Sequence, residues 1–526
     1  MRVFYALGVV SWLLVVLGFS STITTDPFFR WFVCPIVFFF TIYHLCSYGL
    51  CLFYRQHNLK KHRILTPSFW ADRRAMSVDV FLPICGEDIA ALRNTWHHIS
   101  RLKYSNKRVY VLDDSRERCE EHKRMAEEYG FTYFERPNKG EMKKAGNLLH
   151  AYQQTGGEFI TIFDADFAPH PDFLRELLPY MSNRKVGIVQ SPQYFETTRE
   201  LHRDSPLAYG AAHVQEAFYR FIQVARSRFG GTICCGSNAI YRRAALDEIG
   251  GTVQIEHSED AHTGFALADR GWIVRYIPII LAVGTCPDNA HAYFHQQHRW
   301  CFGSMSLLST KKFWRSPVSW KAKLCYVVGF LFYLHHPFAI LFSFQLFWTL
   351  FFYNELISLT NAALFYPYLI WSFTYMLLFP ISRFRLGCFS ATFLQLYAYS
   401  HACIGALLSQ KIGWIPTNAK FIGMSSHAFR QATRVVGIYV LVYLLLIALA
   451  VRTGTFHVIN YNYYSIQFWM FYNLVLSGVL LWHLYRTMDQ GQKIHASRMA
   501  LAFWRVRTVG SYLMLTVGLF ATIILI

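Results

Sequence analysis

Three short acidic turns stand out because each directly follows a run of β-branched and aromatic residues. Glu87 and Asp88 come after residues 78–83 (VDVFLP), Asp113 and Asp114 after 108–112 (RVYVL), and Asp164-Ala165-Asp166 after 159–163 (FITIF). Carboxylates gathered at one sheet edge repel one another unless a cation lies among them, and hard oxygen ligands suit Mg²⁺ or Mn²⁺. A single Asp-x-Asp says little, since turns favour Asp for backbone reasons alone; three in register point to a metal-held diphosphate. Further on, His257-Ser258-Glu259-Asp260 opens a helical pattern over 261–270. Ser258 has the chemistry of a helix cap, and Glu259 and Asp260 complement the helix dipole. Equally, one of these carboxylates can act as a general base toward a hydroxyl. Gln296-Gln297-His298-Arg299-Trp300 offers a guanidinium to a diphosphate and an indole face to a sugar ring, or else an anchor at a membrane boundary.

The elements that must position these groups are strands over 78–83, 108–112, 159–163 and 186–190, separated by helical patterns. Strands alternating with helices imply a parallel sheet with crossovers. Ligands of open α/β sheets bind outside the carboxyl ends of the strands, where the acidic turns lie.

Around this unit the composition changes. The chain is 53% hydrophobic and 17% aromatic but only 16% charged, which excludes disordered and collagen-like classes and points to lipid. Apolar segments over 3–20, 32–54, 323–352, 361–380, 435–451, 466–484 and 509–526 read as membrane spans. An eighth, 386–409, is peppered with Ser, Thr, Gln and Tyr and is expected to lie as an interface helix. The organisation is then two transmembrane helices (1–55), a soluble domain (56–310), two further spans (311–385), an interface helix with the loop after it (386–434) and three spans (435–526). The net charge of +19 sits in loops on one side, whereas 21–31, 352–360 and 452–465 hold only Arg30 and Arg452 as basic residues. The soluble domain is therefore expected in the cytoplasm, with the N-terminus inside and the C-terminus outside, as an integral protein of the cell membrane. The basicity is assigned to membrane lipid rather than nucleic acid. No Cys-x-x-Cys pair occurs among the 12 cysteines, so neither a disulfide framework nor a zinc site is indicated.

In this order, the motifs resemble the processive, membrane-integrated glycosyltransferases of family 2, the group of cellulose, curdlan, chitin and hyaluronan synthases. The resemblance covers about Asp79 to Trp300 and the layout of spans. It implies an α/β glycosyltransferase-A type cytoplasmic domain, with a mixed, mostly parallel sheet, inserted in an α-helical transmembrane bundle with interface helices. It further implies that Pro83, Cys85, Glu87 and Asp114 hold the nucleoside and that Lys144 reaches the phosphates. Asp164 and Asp166 match the metal-binding pair for Mg²⁺ or Mn²⁺, Asp166 the more direct ligand. Cys235, Gly236 and Ser237 resemble the segment lining the donor sugar and acceptor. Ser258-Glu259-Asp260 stands where the family has Thr-Glu-Asp, which makes Asp260 the catalytic base with Glu259 beside it. Gln296, Arg299 and Trp300 match a Gln-x-x-Arg-Trp signature in which the arginine meets the diphosphate and the tryptophan floors the acceptor. Trp414, Thr417 and Lys420 resemble a variant gating loop.

The implied reaction is an inverting transfer from a UDP-sugar, first UDP-glucose, to a growing β-linked polysaccharide, a β-1,3- or β-1,4-glucan exported through the protein's own channel. A chitin- or hyaluronan-type synthase using a UDP-N-acetylhexosamine is the second reading. A lipid-linked sugar transferase would lack a task for Arg299 and Trp300, and a non-enzymatic channel would lack one for Asp260. Accessory subunits are not specified by the sequence.

Overall fold

The computed structural model describes residues 1–71, 76–353, 356, 363–378, 382–408, 427–453, 475 and 478. Its strands are β1 (Val78–Ile84), β2 (Lys107–Asp113), β3 (Thr132–Glu135), β4 (Phe159–Ile162), β5 (Phe167–Pro169), β6 (Val186–Gln190), β7 (Tyr194–Phe195), β8 (Ala239–Arg242), β9 (Ile273–Tyr276) and β10 (Ala282–Gly284). The four runs read from the sequence became β1, β2, β4 and β6. The six others are two to four residues long, too short for a visible alternation.

Seven strands form one sheet in the order β3-β2-β1-β4-β8-β6-β9. Every pair is parallel except those made by β8, which runs antiparallel to both β4 and β6. The sheet is thus mixed and mostly parallel, of the glycosyltransferase-A type. One face packs Val78, Val80, Leu82 and Ile84 against Trp96 and Ile99 of the helix Ile89–Ser100; the other packs Phe81 with Tyr110, Ile162 and Leu148. Each such fully buried side chain contributes about 1.5–3 kcal/mol. Burial on both faces explains why β1 and β4 read as continuous apolar runs. A second, three-stranded sheet, β5-β10-β7, begins one residue after Asp166. The Asp164–Asp166 turn is therefore anchored at both ends by strands.

Among the described residues, four helical stretches are long and apolar enough to cross a membrane: Arg2–Thr25, Phe29–Leu52, Trp320–Phe352 and Arg434–Arg452. They correspond to the expected spans 3–20, 32–54, 323–352 and 435–451. The span expected over 361–380 contains the 13-residue helix Tyr366–Leu378, while 509–526 and all but two residues of 466–484 lie outside the described residues. Pro337 sits inside the continuous helix Trp320–Ser343. The break falls at Phe344, where the helix Gln345–Phe352 takes over.

The polar residues of the helix Leu386–Leu407 are engaged within the protein. Its Ser390, Gln395, Tyr399 and Ser400 are buried in protein rather than turned to water or headgroups. Gln395 Nε2 and Tyr399 Oη donate to Gln297 Oε1 at 3.1 and 2.5 Å, and His401 meets His298 at 3.1 Å. The helix also approaches Pro206–Ala217 so closely that a Cβ at Gly210 would come 2.2 Å from the Gly387 carbonyl. Small residues allow this approach. These polar residues grip the helix Ala290–Leu308, which carries Gln296, Arg299 and Trp300.

Candidate active site

At the end of β1 the chain turns at Gly86, whose φ of +82° favours glycine. Glu87 Oε2 accepts from the Cys85 N–H at 2.5 Å, and Ser115 Oγ accepts from the Gly86 N–H at 2.8 Å, tying this turn to the one after β2. There Asp113 is fully buried and accepts from His122 Nδ1 and Tyr133 Oη, both at 2.8 Å, which fixes the strand end. Asp114 is gripped by Arg136 through Nε and Nη2, each at 2.7 Å, and by the Gly140 N–H.

Arg136 was not legible as a site residue, since it follows β3, a strand of four residues. It also donates to the Lys143 carbonyl at 3.2 Å, and a Cβ at Gly146 would lie 2.5 Å from its Nη1. That crowding explains the glycine in Lys143-Lys144-Ala145-Gly146-Asn147. Removing one partner of a buried ion pair leaves an uncompensated charge and costs about 3–5 kcal/mol. The variant Arg136→Ala is therefore expected to lose nucleotide affinity and thermal stability together, because it releases Asp114 and the start of the Lys144 helix at once. A thermal shift with and without UDP checks this; an unchanged melting temperature would contradict it.

Lys144 Nζ lies 2.5 Å from Asp164 Oδ1 and 3.8 Å from Glu259 Oε1. Burial works against its charge, but those two carboxylates outweigh burial and hold the ammonium above its usual range. Burial, reinforced by Asp164 and Glu87, pushes Asp166 up to about 7, and burial pushes Glu87 up to about 7 as well. Asp260 is also raised to about 7, first by burial and then by the Glu259 carboxylate beside it. Burial lowers Arg299, opposed by Glu259 and Asp164. Five carboxylates thus face two cations, and burial first, then the neighbouring negative charge, disfavours ionisation of Glu87, Asp166 and Asp260.

Asp260 sits in the first turn of the helix Glu259–Asp269, where its Oδ1 accepts the Ala261 N–H at 2.7 Å. Ser258 does not cap this helix with its side chain: it has a φ of +54°, and its hydroxyl is pressed toward Gly303, where a Cβ would come 2.1 Å from Oγ. The serine thus fits the Glu259–Asp269 helix against Ala290–Leu308. Gly236, with φ +78°, leaves room for Asp260, since a Cβ there would be 2.8 Å from Oδ2.

One cleft with a cavity volume of about 190 Å³, open to solvent, is lined by Pro83, Cys85, Glu87, Asp114, Lys144, Asp164, Asp166, Cys235, Glu259, Asp260, Gln296, Arg299 and Trp300. Positions i, i+3 and i+4 of one helix bring Gln296, Arg299 and Trp300 to the same face. Two expected acceptor residues are not among this lining. Gly236 serves by its lack of a side chain, and Ser237 is fully buried with its Oγ accepting the Asp164 N–H at 3.0 Å, which ties it to the acidic turn. Trp414, Thr417 and Lys420 lie outside the described residues. Asn147, Phe167, Phe195 and Glu256 line the cleft without having been read as site residues from the sequence, and Gln193 lines it at the end of the segment 189–193, which resembles a donor-sugar and acceptor lining of the family. Gln193 is held there by Tyr219 Oη at 2.7 Å and by its own bond to the Cys235 carbonyl at 2.8 Å.

Among the described residues no three His, Cys, Asp or Glu side chains form a metal cage of their own. Mg²⁺ is commonly bound by one or two carboxylates together with substrate phosphates. Asp164 and Asp166, crowded by their own negative charge, fit that arrangement.

Residues 79–250 match the family model for glycosyl transferase family 2. Over 280 residues, 51% of this chain and 18% of the relative, the sequence is 32% identical to cellulose synthase 1 of Komagataeibacter xylinus. Over 237 residues, 44% of this chain and 32% of the relative, it is 31% identical to the UDP-forming cellulose synthase catalytic subunit of Xanthomonas axonopodis pv. citri. The chain thus spans under a third of the length of these two relatives. Among solved structures it is similar to the mannosyltransferase PcManGT from Pyrobaculum calidifontis in complex with GDP-Man and Mn²⁺, at 18% identity and a TM-score of 0.49, covering 72% of this chain and 100% of that one. With its acidic turns, its Asp260 helix and its Arg299-Trp300 pair on one cleft, the chain carries a glycosyl transferase family 2 domain over residues 79–250 and is similar to cellulose synthases over about half of its length.

Proposed function

We propose that the protein is a membrane-embedded, processive inverting glycosyltransferase that transfers sugar from a UDP-sugar, with UDP-glucose the first choice, onto a growing β-glucan and passes the chain through its own apolar helices. The observation that carries this reading is the shared cleft of Asp164, Asp166, Asp260, Arg299 and Trp300. The likeness to UDP-forming cellulose synthase subunits supports the donor.

In this reading Asp114, clamped by Arg136, and the Pro83–Glu87 turn hold the nucleoside. Lys144 and Arg299 face the diphosphate, whose negative charge grows as the glycosidic bond breaks. Bound at Asp164 and Asp166, Mg²⁺ or Mn²⁺ supplies further neutralisation of that charge. Asp260 takes the proton of the acceptor hydroxyl, and Trp300 stacks beneath the acceptor sugar. One base without a covalent intermediate gives inversion, so an α-linked donor yields a β-linked product. The catalytic domain is assigned to the cytoplasm and the membrane to the cell membrane, on the loop charge asymmetry.

Asp260 acts only when ionised, and its pKa is raised to about 7. Below that value most molecules hold the base protonated, so kcat/KM is expected to climb with pH through about 7 and level off above it. A rate flat from pH 5 to 8 would remove Asp260 as the base. The reading as a whole is tested by supplying the lipid-reconstituted protein with Mg²⁺ or Mn²⁺ and labelled UDP-sugars, then digesting the product with linkage-specific glycanases. A glucanase-sensitive polymer from UDP-glucose supports it, and polymer from UDP-N-acetylglucosamine moves it to the chitin and hyaluronan type. Label found only as single sugars on lipid defeats it.

A further inference from the structure

Arg226 has no task in the reaction, yet it is only 4% exposed, and its Nε and Nη1 have no hydrogen-bond partner among the described residues. It belongs to the short helix Gln223–Ser227. Three residues earlier, Gln223 Nε2 donates to the Ile233 carbonyl at 2.7 Å and its Oε1 accepts the Ile233 N–H at 3.2 Å. This pair of bonds locks the helix to the segment that ends in Cys235 on the cleft wall. On its other side the guanidinium meets the apolar helix Trp320–Ser343, where a Cβ at Gly329 would come 3.1 Å from Nη2, and it lies 5.7 Å from the Phe218 ring. Neither Trp320–Ser343 nor the neighbouring helix Cys34–Leu52 contains an Asp or Glu.

A guanidinium cannot shed its charge, so burial with unused donors is unfavourable unless oxygen acceptors arrive from elsewhere. A charged group inside a helix bundle of a membrane protein marks a pathway more often than packing. The location agrees. Gln223 of the same short helix also donates to Cys235 Sγ at 3.5 Å, and Cys235 lines the cleft. Close by, Thr232 Oγ1 is buried and also lacks a partner, while the Thr232 carbonyl accepts from Tyr326 of the same apolar helix at 3.4 Å.

We propose that Arg226 forms a second acceptor subsite, its N–H groups donating to the hydroxyl oxygens of the sugar unit that has moved past Trp300 toward the apolar helices. The inference rests on the transferase reading above and adds to it a residue that retains the chain between transfers.

The test compares the parent with Arg226→Gln and Arg226→Lys, each full-length and lipid-reconstituted, by the length distribution of labelled polymer at saturating UDP-sugar. Losing hydrogen bonds from a charged donor is expected to release the chain about tenfold sooner and to shorten the Gln variant's product accordingly, with partial recovery in the Lys variant. UDP affinity serves as the fold control and is expected to match the parent. Equal product lengths overturn the proposal. So does loss of UDP binding in both variants, which would make Arg226 a packing residue. Length restored to the Gln variant by adding anionic phospholipid overturns it too, since the guanidinium would then be answering a headgroup phosphate. A parent that makes no polymer from any UDP-sugar removes the transferase reading and this inference with it, whereas parent polymer with unchanged variants removes the inference alone.

Discussion

Replacing Asp260 with Asn is expected to lower sugar transfer by about 10²–10⁴-fold, the usual contribution of a positioned general base, while UDP still binds. Asn matches Asp in shape, and its side-chain oxygen can keep the Ala261 N–H bond that Asp260 Oδ1 makes at 2.7 Å. The space left by Gly236 accommodates it equally well. What disappears is the capacity to accept a proton. Polymer formation and UDP release from a labelled UDP-sugar, alongside UDP binding by calorimetry, separate the outcomes. Transfer within a few-fold of the parent would give the base role to another group, Glu259 first among them. Loss of UDP binding as well would mean that the substitution had disturbed the cleft rather than the chemistry.

Removing the Lys144 ammonium is expected to have the next largest effect, about 10²–10³-fold on kcat/KM, comparable to losing one preorganised donor to a developing anion. The side chain does two things. In the proposed reaction it faces the diphosphate, and at 2.5 Å from Asp164 and 3.8 Å from Glu259 it offsets the repulsion among carboxylates. It also pulls Asp260 downward against burial. In Lys144→Ala that pull is gone, so the Asp260 pKa moves above about 7 and the acid limb of the pH–rate profile shifts to higher pH. A uniform loss of rate with an unshifted limb would show that Lys144 acts on the phosphates without tuning the base. Lys144→Arg is expected to restore the position of the limb better than it restores the rate, because a guanidinium keeps the charge but is a bulkier, planar group.

Much of this protein was determined by local sequence. Apolar runs of spanning length announced helices for lipid, and four of them are present at the expected places, because hydropathy is a property of each segment alone. β1, β2, β4 and β6 were legible because each is a β-branched run that ends in a polar turn, and sheet topology does the rest: parallel neighbours such as β1 with β2 and β4 bring their carboxyl ends, and so the acidic turns, to one edge. The Gln296, Arg299 and Trp300 face followed from helical spacing.

Other features depended on residues far apart in the chain. β8 entered the sheet between β4 and β6 in the antiparallel sense, a pairing that no four-residue segment can announce. Ser258 has the type of a cap, but the close approach of Gly303 decided its backbone and directed its hydroxyl elsewhere. Ser237 was drawn to the Asp164 backbone, and the polar side of Leu386–Leu407 to Gln297 and His298, because buried hydrogen-bonding groups must find partners wherever the fold supplies them. Arg136 became the clamp on Asp114 for the same reason. Residue type and spacing are local and could be read directly; the partner of each buried polar group is set by which elements pack together, and only the tertiary structure decided that.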